Sequence, residues 1–163
     1  SVGKFDAILS LFNSVGHLTS EGLSEMIHNA YQNLNPGGLL IFDILNSSVM
    51  SVFPDYKFID RALEKNNKHF VRFSQFTFDR QDKTLTIDQN VMVQDGTKEM
   101  VKIDRQFTLN TYKKKELVEM VSQAGFELVD ICEHGLSDFY HSDAPIVDCL
   151  MHFVVVRKPL HIT

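Results

Sequence analysis

The spacing of apolar residues changes several times along the chain, and each change marks an element. Phe5 to Phe12 (FDAILSLF) is a short apolar run bounded by the polar NSVGH, the pattern of a strand buried on both faces in a parallel sheet. Behind Thr19 or Ser20 as N-cap, apolar residues fall at Leu23, Met26, Ile27, Ala30, Tyr31 and Leu34, a single helical stripe. Asn35-Pro36-Gly37-Gly38 then stops the helix, and Leu39 to Leu45 (LLIFDIL) follows as a second strand of the same two-faced kind. Strand, helix, turn and strand make a βαβ unit with a right-handed crossover.

From Val49 to Asn67 the pattern is mixed, and Phe58, Ile59, Ala62 and Leu63 hint at a short helix. Between His69 and Leu109 the period drops to two, as in Leu85, Ile87, Val91 and Val93. The turn signals RQDK (80–83) and QDGT (94–97) divide this stretch into an antiparallel meander of three strands. Thr111 is the expected cap of another helix, with Leu117, Met120, Val121 and Ala124 on one side and Gly125 as its stop. FELVDICE (126–133) and CLMHFVVVRKP (149–159) read as closing strands around a polar loop, GLSDFYHSDAP (135–145). The aromatic stripe Phe70, Phe73, Phe76 and Phe78 reads as sheet packing.

Composition narrows the partners more than the fold. A formal charge of −5 without any Lys/Arg-rich block offers no footprint for nucleic acid or an anionic membrane surface. No apolar run approaches the roughly 20 residues of a membrane span. The two cysteines, Cys132 and Cys149, sit in apolar runs and read as buried free thiols, which suits a cytoplasmic protein. The expected partner is a small molecule or another protein. At 163 residues the chain has room for one domain with a real core.

FDAILSLFNSVGHL, then LNPGGLLIFDIL behind an amphipathic helix, then AGFELVDICE and HFVVVRKP, taken in order, resemble class I S-adenosylmethionine-dependent methyltransferases. They are similar to the fourth strand, its helix, the fifth strand and the last two strands of that α/β, Rossmann-like fold. The meander (68–110) after the fifth strand resembles the inserted sheet of small-molecule and amino-sugar N-methyltransferases. The resemblance implies a single partial methyltransferase domain over 1–163, its C-terminal portion, and S-adenosylmethionine as cofactor. The glycine-rich turn and ribose-binding acid of the family would precede residue 1, so the chain reads as truncated or as half of a split enzyme. A non-catalytic methyltransferase-like interaction subunit and a ligand-binding module built on the meander are the rival readings.

His17 lies beyond the first strand, at the edge where open α/β sheets bind ligands, and an imidazole suits proton removal near neutrality. The resemblance implies a base acting on an acceptor amine; a loop histidine bonded to a neighbouring carbonyl is the alternative. Asn13 and Ser14 share that loop as candidate cofactor contacts or ordinary turn formers. Asp43 ends the second strand, where it can hold an ammonium or hydroxyl of the acceptor or cap the turn Asn46-Ser47-Ser48. Tyr140 and His141, with Asp138, are candidate substrate contacts or a solvated lid. The remaining histidines lack metal-ligand spacing. If the chain starts at Ser1, its first strand becomes a sheet edge with Lys4 as sole guard, and a homodimer or pairing with a complementary N-terminal half is expected.

Overall fold

The computed structural model describes residues 3–52, 55–134 and 150–160. They form two compact units, 1–51 with 110–163 and, between these, 52–109.

The first unit is a four-stranded sheet with helices on one face. Strand β1 (Phe5–Ser10) leads through α1 (Ser20–Asn33) to β2 (Leu34–Leu45), and the two strands pair in parallel from Ala7↔Leu39 to Ser10↔Phe42. Thr19 caps α1 as expected, its hydroxyl accepting the Gly22 amide at 3.1 Å. After α2 (Ser47–Met50) and the inserted unit come α3 (Lys114–Gln123), β7 (Glu127–His134) and β8 (Met151–Arg157). The last strand inserts between its predecessors, giving the order β1-β2-β8-β7 with β8 antiparallel to both neighbours. Leu23 and Ile27 of α1 and Leu117 and Val121 of α3 meet Leu40, Phe42, Ile44, Val154 and Val156 in one fully buried cluster. The opposite face of β2 is only half-buried at Leu39 and Ile41, and β1, at the sheet edge, leaves Phe5 and Leu9 exposed. The expected burial on both faces fails in β1, where no residue is buried, and in β2 it is met along one face and, on the other, only at Asp43 and Leu45.

Helix α1 ends on cations borrowed from elsewhere in the chain. The last carbonyls of a helix lack intrahelical donors, and here the Lys158 ammonium donates to Tyr31 O at 2.8 Å and Leu34 O at 2.9 Å while Lys4 donates to Gln32 O. Lys158 is buried and lies 4.6 Å from the centre of the Tyr31 ring. Thr111 does not cap α3. Lys113 does, its amide bonded to Glu116 at 2.8 Å, the return arm of a capping box. Gly125, at φ 92, ends that helix as expected, and a Cβ there would meet the Tyr31 ring at 3.2 Å.

The second unit is an antiparallel sheet of four strands in sequential order: β3 (Tyr56–Lys65), β4 (Lys68–Asp79), β5 (Thr84–Asp95) and β6 (Val101–Asn110). The three expected strands are present, and β3 replaces the expected short helix. Asn66 and Asn67, at φ 52 and 61, join β3 to β4 in a two-residue left-handed turn that commits the flanking segments to a hairpin. Pairing alternates faces, so Phe70, Phe76 and Phe78 lie on one side and Phe73 on the other, and the aromatic stripe is split. Phe58 meets Phe76 edge to face at 5.2 Å. On the Phe73 side, Asn90 donates to Asp104 and Gln106 to Asp88, each at 2.6 Å. Among the described residues no helix is long and apolar enough to cross a membrane.

Candidate active site

Parallel strands β1 and β2 end at the same edge of their sheet, and the connections beyond them meet there. Beyond Ser10 the chain reverses through Phe12 and Asn13, both left-handed at φ 62 and 55, into a single 3-10 turn, Ser14–His17. Left-handed backbone costs an ordinary side chain roughly 1–2 kcal/mol, less for Asn. The compensation comes from β2. Phe12 N donates to Asp43 Oδ2 at 3.0 Å and Asn13 N to Oδ1 at 2.8 Å. The Asn13 carboxamide oxygen in turn accepts the Leu45 amide at 3.2 Å. Gly16 completes the fit, because a Cβ there would stand 2.6 Å from the Asn13 carboxamide.

Asp43 is only 4% exposed. Burial pushes its carboxyl pKa above the ordinary 3.8, while the amides of Asn13 and Phe12 pull the other way. The side chain does not cap the next turn; Asn46 does that itself, accepting the Ser48 amide at 3.0 Å. Ser14 donates its hydroxyl to Leu11 O at 2.5 Å and remains exposed. His17, the last residue of the 3-10 turn, is exposed at the same edge. The structure therefore brings Asn13, Ser14, His17 and Asp43 to one loop and strand end. Tyr140, His141 and Asp138 lie outside the described residues, as does Cys149; Cys132 is a free, half-buried thiol.

Sequence reasoning missed a third segment at this edge. Tyr112 exchanges backbone bonds with Leu45 and Ser47, both at 3.1 Å, and Asn110 donates its carboxamide to Leu18 O at 2.8 Å. Asn46, Ser47, Thr111 and Tyr112 are buried. Burial raises the Tyr112 phenol pKa, a Ser20 hydrogen bond opposes this, and the Glu116 and Glu21 carboxylates add to the rise, so the phenol stays protonated. The available signal was the polar cluster NSS directly behind an apolar strand. In the second unit the polar face holds a shallow concavity of about 260 Å3, lined by Lys57, Phe73, Gln75, Asp88, Asn90 and Lys102 among others.

No protein-family model matches the chain, and no curated protein matches it either. Solved structures do. A S-adenosylmethionine-dependent methyltransferase from Clostridium acetobutylicum aligns over 98% of this chain and 60% of its own, at 16% identity and TM-score 0.71. CalS10, an amino pentose methyltransferase from Micromonospora echinaspora, aligns over 96% and 60%, at 21% identity and TM-score 0.74. DesVI of Streptomyces venezuelae aligns over 97% and 60%, at 20% identity and TM-score 0.74. The chain spans about 60% of the length of each. At this identity the superpositions establish architecture alone: the chain has the Rossmann-like fold of S-adenosylmethionine-dependent methyltransferases, with an antiparallel sheet inserted behind its second strand.

Proposed function

We propose that the chain is the acceptor-side portion of a methyltransferase that moves a methyl group from S-adenosylmethionine to the nitrogen of a small amine. The observation that carries this reading is an exposed histidine, His17, on a constrained turn at the carboxyl edge of a methyltransferase-like sheet. Support for an amine acceptor comes from the likeness to an amino pentose methyltransferase and to the sugar N-methyltransferase KedS8 from Streptoalloteichus.

The donor, when bound, supplies an electrophilic methyl group. The remaining work falls to this chain. An ammonium has no lone pair, so one proton must leave the acceptor before its nitrogen can attack in line; His17 takes that proton. Ser14 keeps hydroxyl lone pairs for a donor or acceptor N–H. Asn13 keeps its NH2 group for the donor, while its carboxamide oxygen already accepts the Leu45 amide. The chain spans about 60% of the length of its methyltransferase neighbours; on the reading that the donor's main contacts lie in the remaining part, this chain alone should bind the donor weakly. A micromolar dissociation constant by calorimetry would overturn that.

The test is transfer of labelled methyl from S-adenosylmethionine to amino sugars, with the N-terminal half of an amino-sugar methyltransferase supplied in trans. Label should appear on nitrogen, and His17→Ala should lower turnover by about 100-fold while leaving donor affinity unchanged. Unchanged turnover would remove the base. Binding without any transfer would favour the rival, a non-catalytic interaction subunit, which the engagement of Asp43 and Asn13 by backbone already suits.

The same reading covers association. Among the described residues β1 has a strand partner on one side only, with Leu9 59% accessible, and its other side is a template for a second copy or a complementary N-terminal half. Light scattering across a dilution series tests self-pairing, and a monomer at micromolar concentration overturns it.

A further inference from the structure

We infer that Asp43 is a positioning residue whose carboxylate fills an anion-binding nest made by the Phe12 and Asn13 amides, and that it thereby sets the turn carrying His17. Successive amides in a tight turn converge on a point and form a concavity for an anion. Here the occupant is the chain's own side chain, with one oxygen on each amide at 3.0 and 2.8 Å. A buried carboxylate so engaged is not presented to an acceptor. It belongs to the turn.

The backbone supports this assignment. The other non-glycine residues with positive φ, Asn66, Asn67 and Lys83, sit in the connections between consecutive strands of the meander, where hairpin geometry calls for left-handed residues. Phe12 and Asn13 instead lie between a strand and a 3-10 turn, and Phe12 takes this conformation while the residue is 92% exposed, so its own packing does not hold it there. Its amide is instead held from outside the turn by the Asp43 carboxylate. Asn13 carries the constraint onward, since its carboxamide ties the turn to Leu45 and lies against Gly16, the residue before His17. The chain of contacts runs from Asp43 through the amides and Asn13 to His17.

The clamp stands on geometry alone, while its bearing on catalysis rests on the reading of His17 as a base. Asp43→Ala should empty the nest. By NMR, the Phe12 and Asn13 amide protons should move upfield and the His17 ring resonances should shift or broaden. Formate, a small carboxylate, should restore all three toward the native positions, whereas neutral formamide should not. Unmoved amide protons, or equal restoration by formamide, would overturn the nest. Unmoved His17 resonances alongside shifted amides would overturn the positioning role. If Asp43→Ala does not fold, Asp43→Asn retains one acceptor oxygen and should release one amide and shift His17; a native spectrum at all three positions overturns the proposal. Restoration by formate in a protein that transfers no methyl group would uphold the clamp and remove only the reading of His17 as base.

Discussion

The two four-stranded sheets of this chain bury side chains by different means. In the first, α1 and α3 cover one face, so Leu40, Phe42, Ile44, Val154 and Val156 are wholly enclosed, and α1 in turn depends on Lys158 from the far end of the chain. In the second, neighbours follow one another in sequence, β4 and β5 are mostly half-buried while β6 and the described positions of β3 are mostly exposed, and polar pairs such as Asn90 with Asp104 run across one face. The first sheet is held by long-range packing and the second by local pairing. The candidate site belongs to the first, because a strained turn such as Phe12-Asn13 survives only where surrounding structure over-determines it.

Truncating one phenylalanine in each sheet tests this contrast most strongly. Phe42→Ala should cost about 3–5 kcal/mol, since a fully enclosed ring leaves a cavity that helices on one side and strands around it cannot close. Phe76→Ala should cost about 1–2 kcal/mol, the loss of partial burial and of its edge-to-face contact with Phe58. Urea midpoints read by methyl NMR give both values. Equal costs would break the comparison.

Lys158→Met sharpens it at the first unit's long-range tie. Removing the ammonium leaves Tyr31 O and Leu34 O without that donor, for a loss of about 1–3 kcal/mol by thermal unfolding. A pH signature accompanies the loss. Burial, with the Lys4 charge second, holds the Lys158 pKa below the ordinary 10.5, so folding favours the neutral amine, which still has N–H groups for both carbonyls. Stability from this group should therefore rise as pH climbs from the folded pKa toward 10.5 and be lost as pH falls back through it. In Lys158→Met that rise should vanish; a rise of native size would show that other lysines produce it.

Elements set by local pattern were legible in the sequence, and those set by distant partners were not. The stripe from Leu23 to Leu34 and the Thr19 cap gave α1 its observed bounds, and the two-residue alternation gave β4, β5 and β6. Strand β3 escaped for a physical reason. A bulge between Ile59 and Arg61 resets the alternation, so Phe58 and Leu63 face one way while Ile59 and Ala62 face the other, and the sequence acquires helix-like spacing. At the site, His17, Asn13, Ser14 and Asp43 were singled out because strand ends in α/β sheets gather ligand-binding groups. The bonds from Asp43 to Phe12 and Asn13 span some 30 residues, and nothing local announces a left-handed phenylalanine. Tyr112 and Asn110 reach the same edge only after the inserted unit, beyond any spacing rule.

The smallest expected effect lies in the β3–β4 hairpin and asks whether local geometry governs the second unit. Asn67 holds φ 61 at the second turn position, and its carbonyl accepts the Gly96 amide at 2.8 Å. Glycine adopts that conformation without a Cβ penalty and leaves the carbonyl in place, and Asn-Gly is the preferred pair for this turn. Its greater freedom in the unfolded chain opposes the gain. Asn67→Gly should therefore raise stability by about 0.5 kcal/mol, and slow hydrogen exchange in β3 and β4 while leaving β1, β2 and β8 unchanged. Faster exchange in the hairpin would mean that the Asn67 side chain, not the backbone turn, holds these strands together.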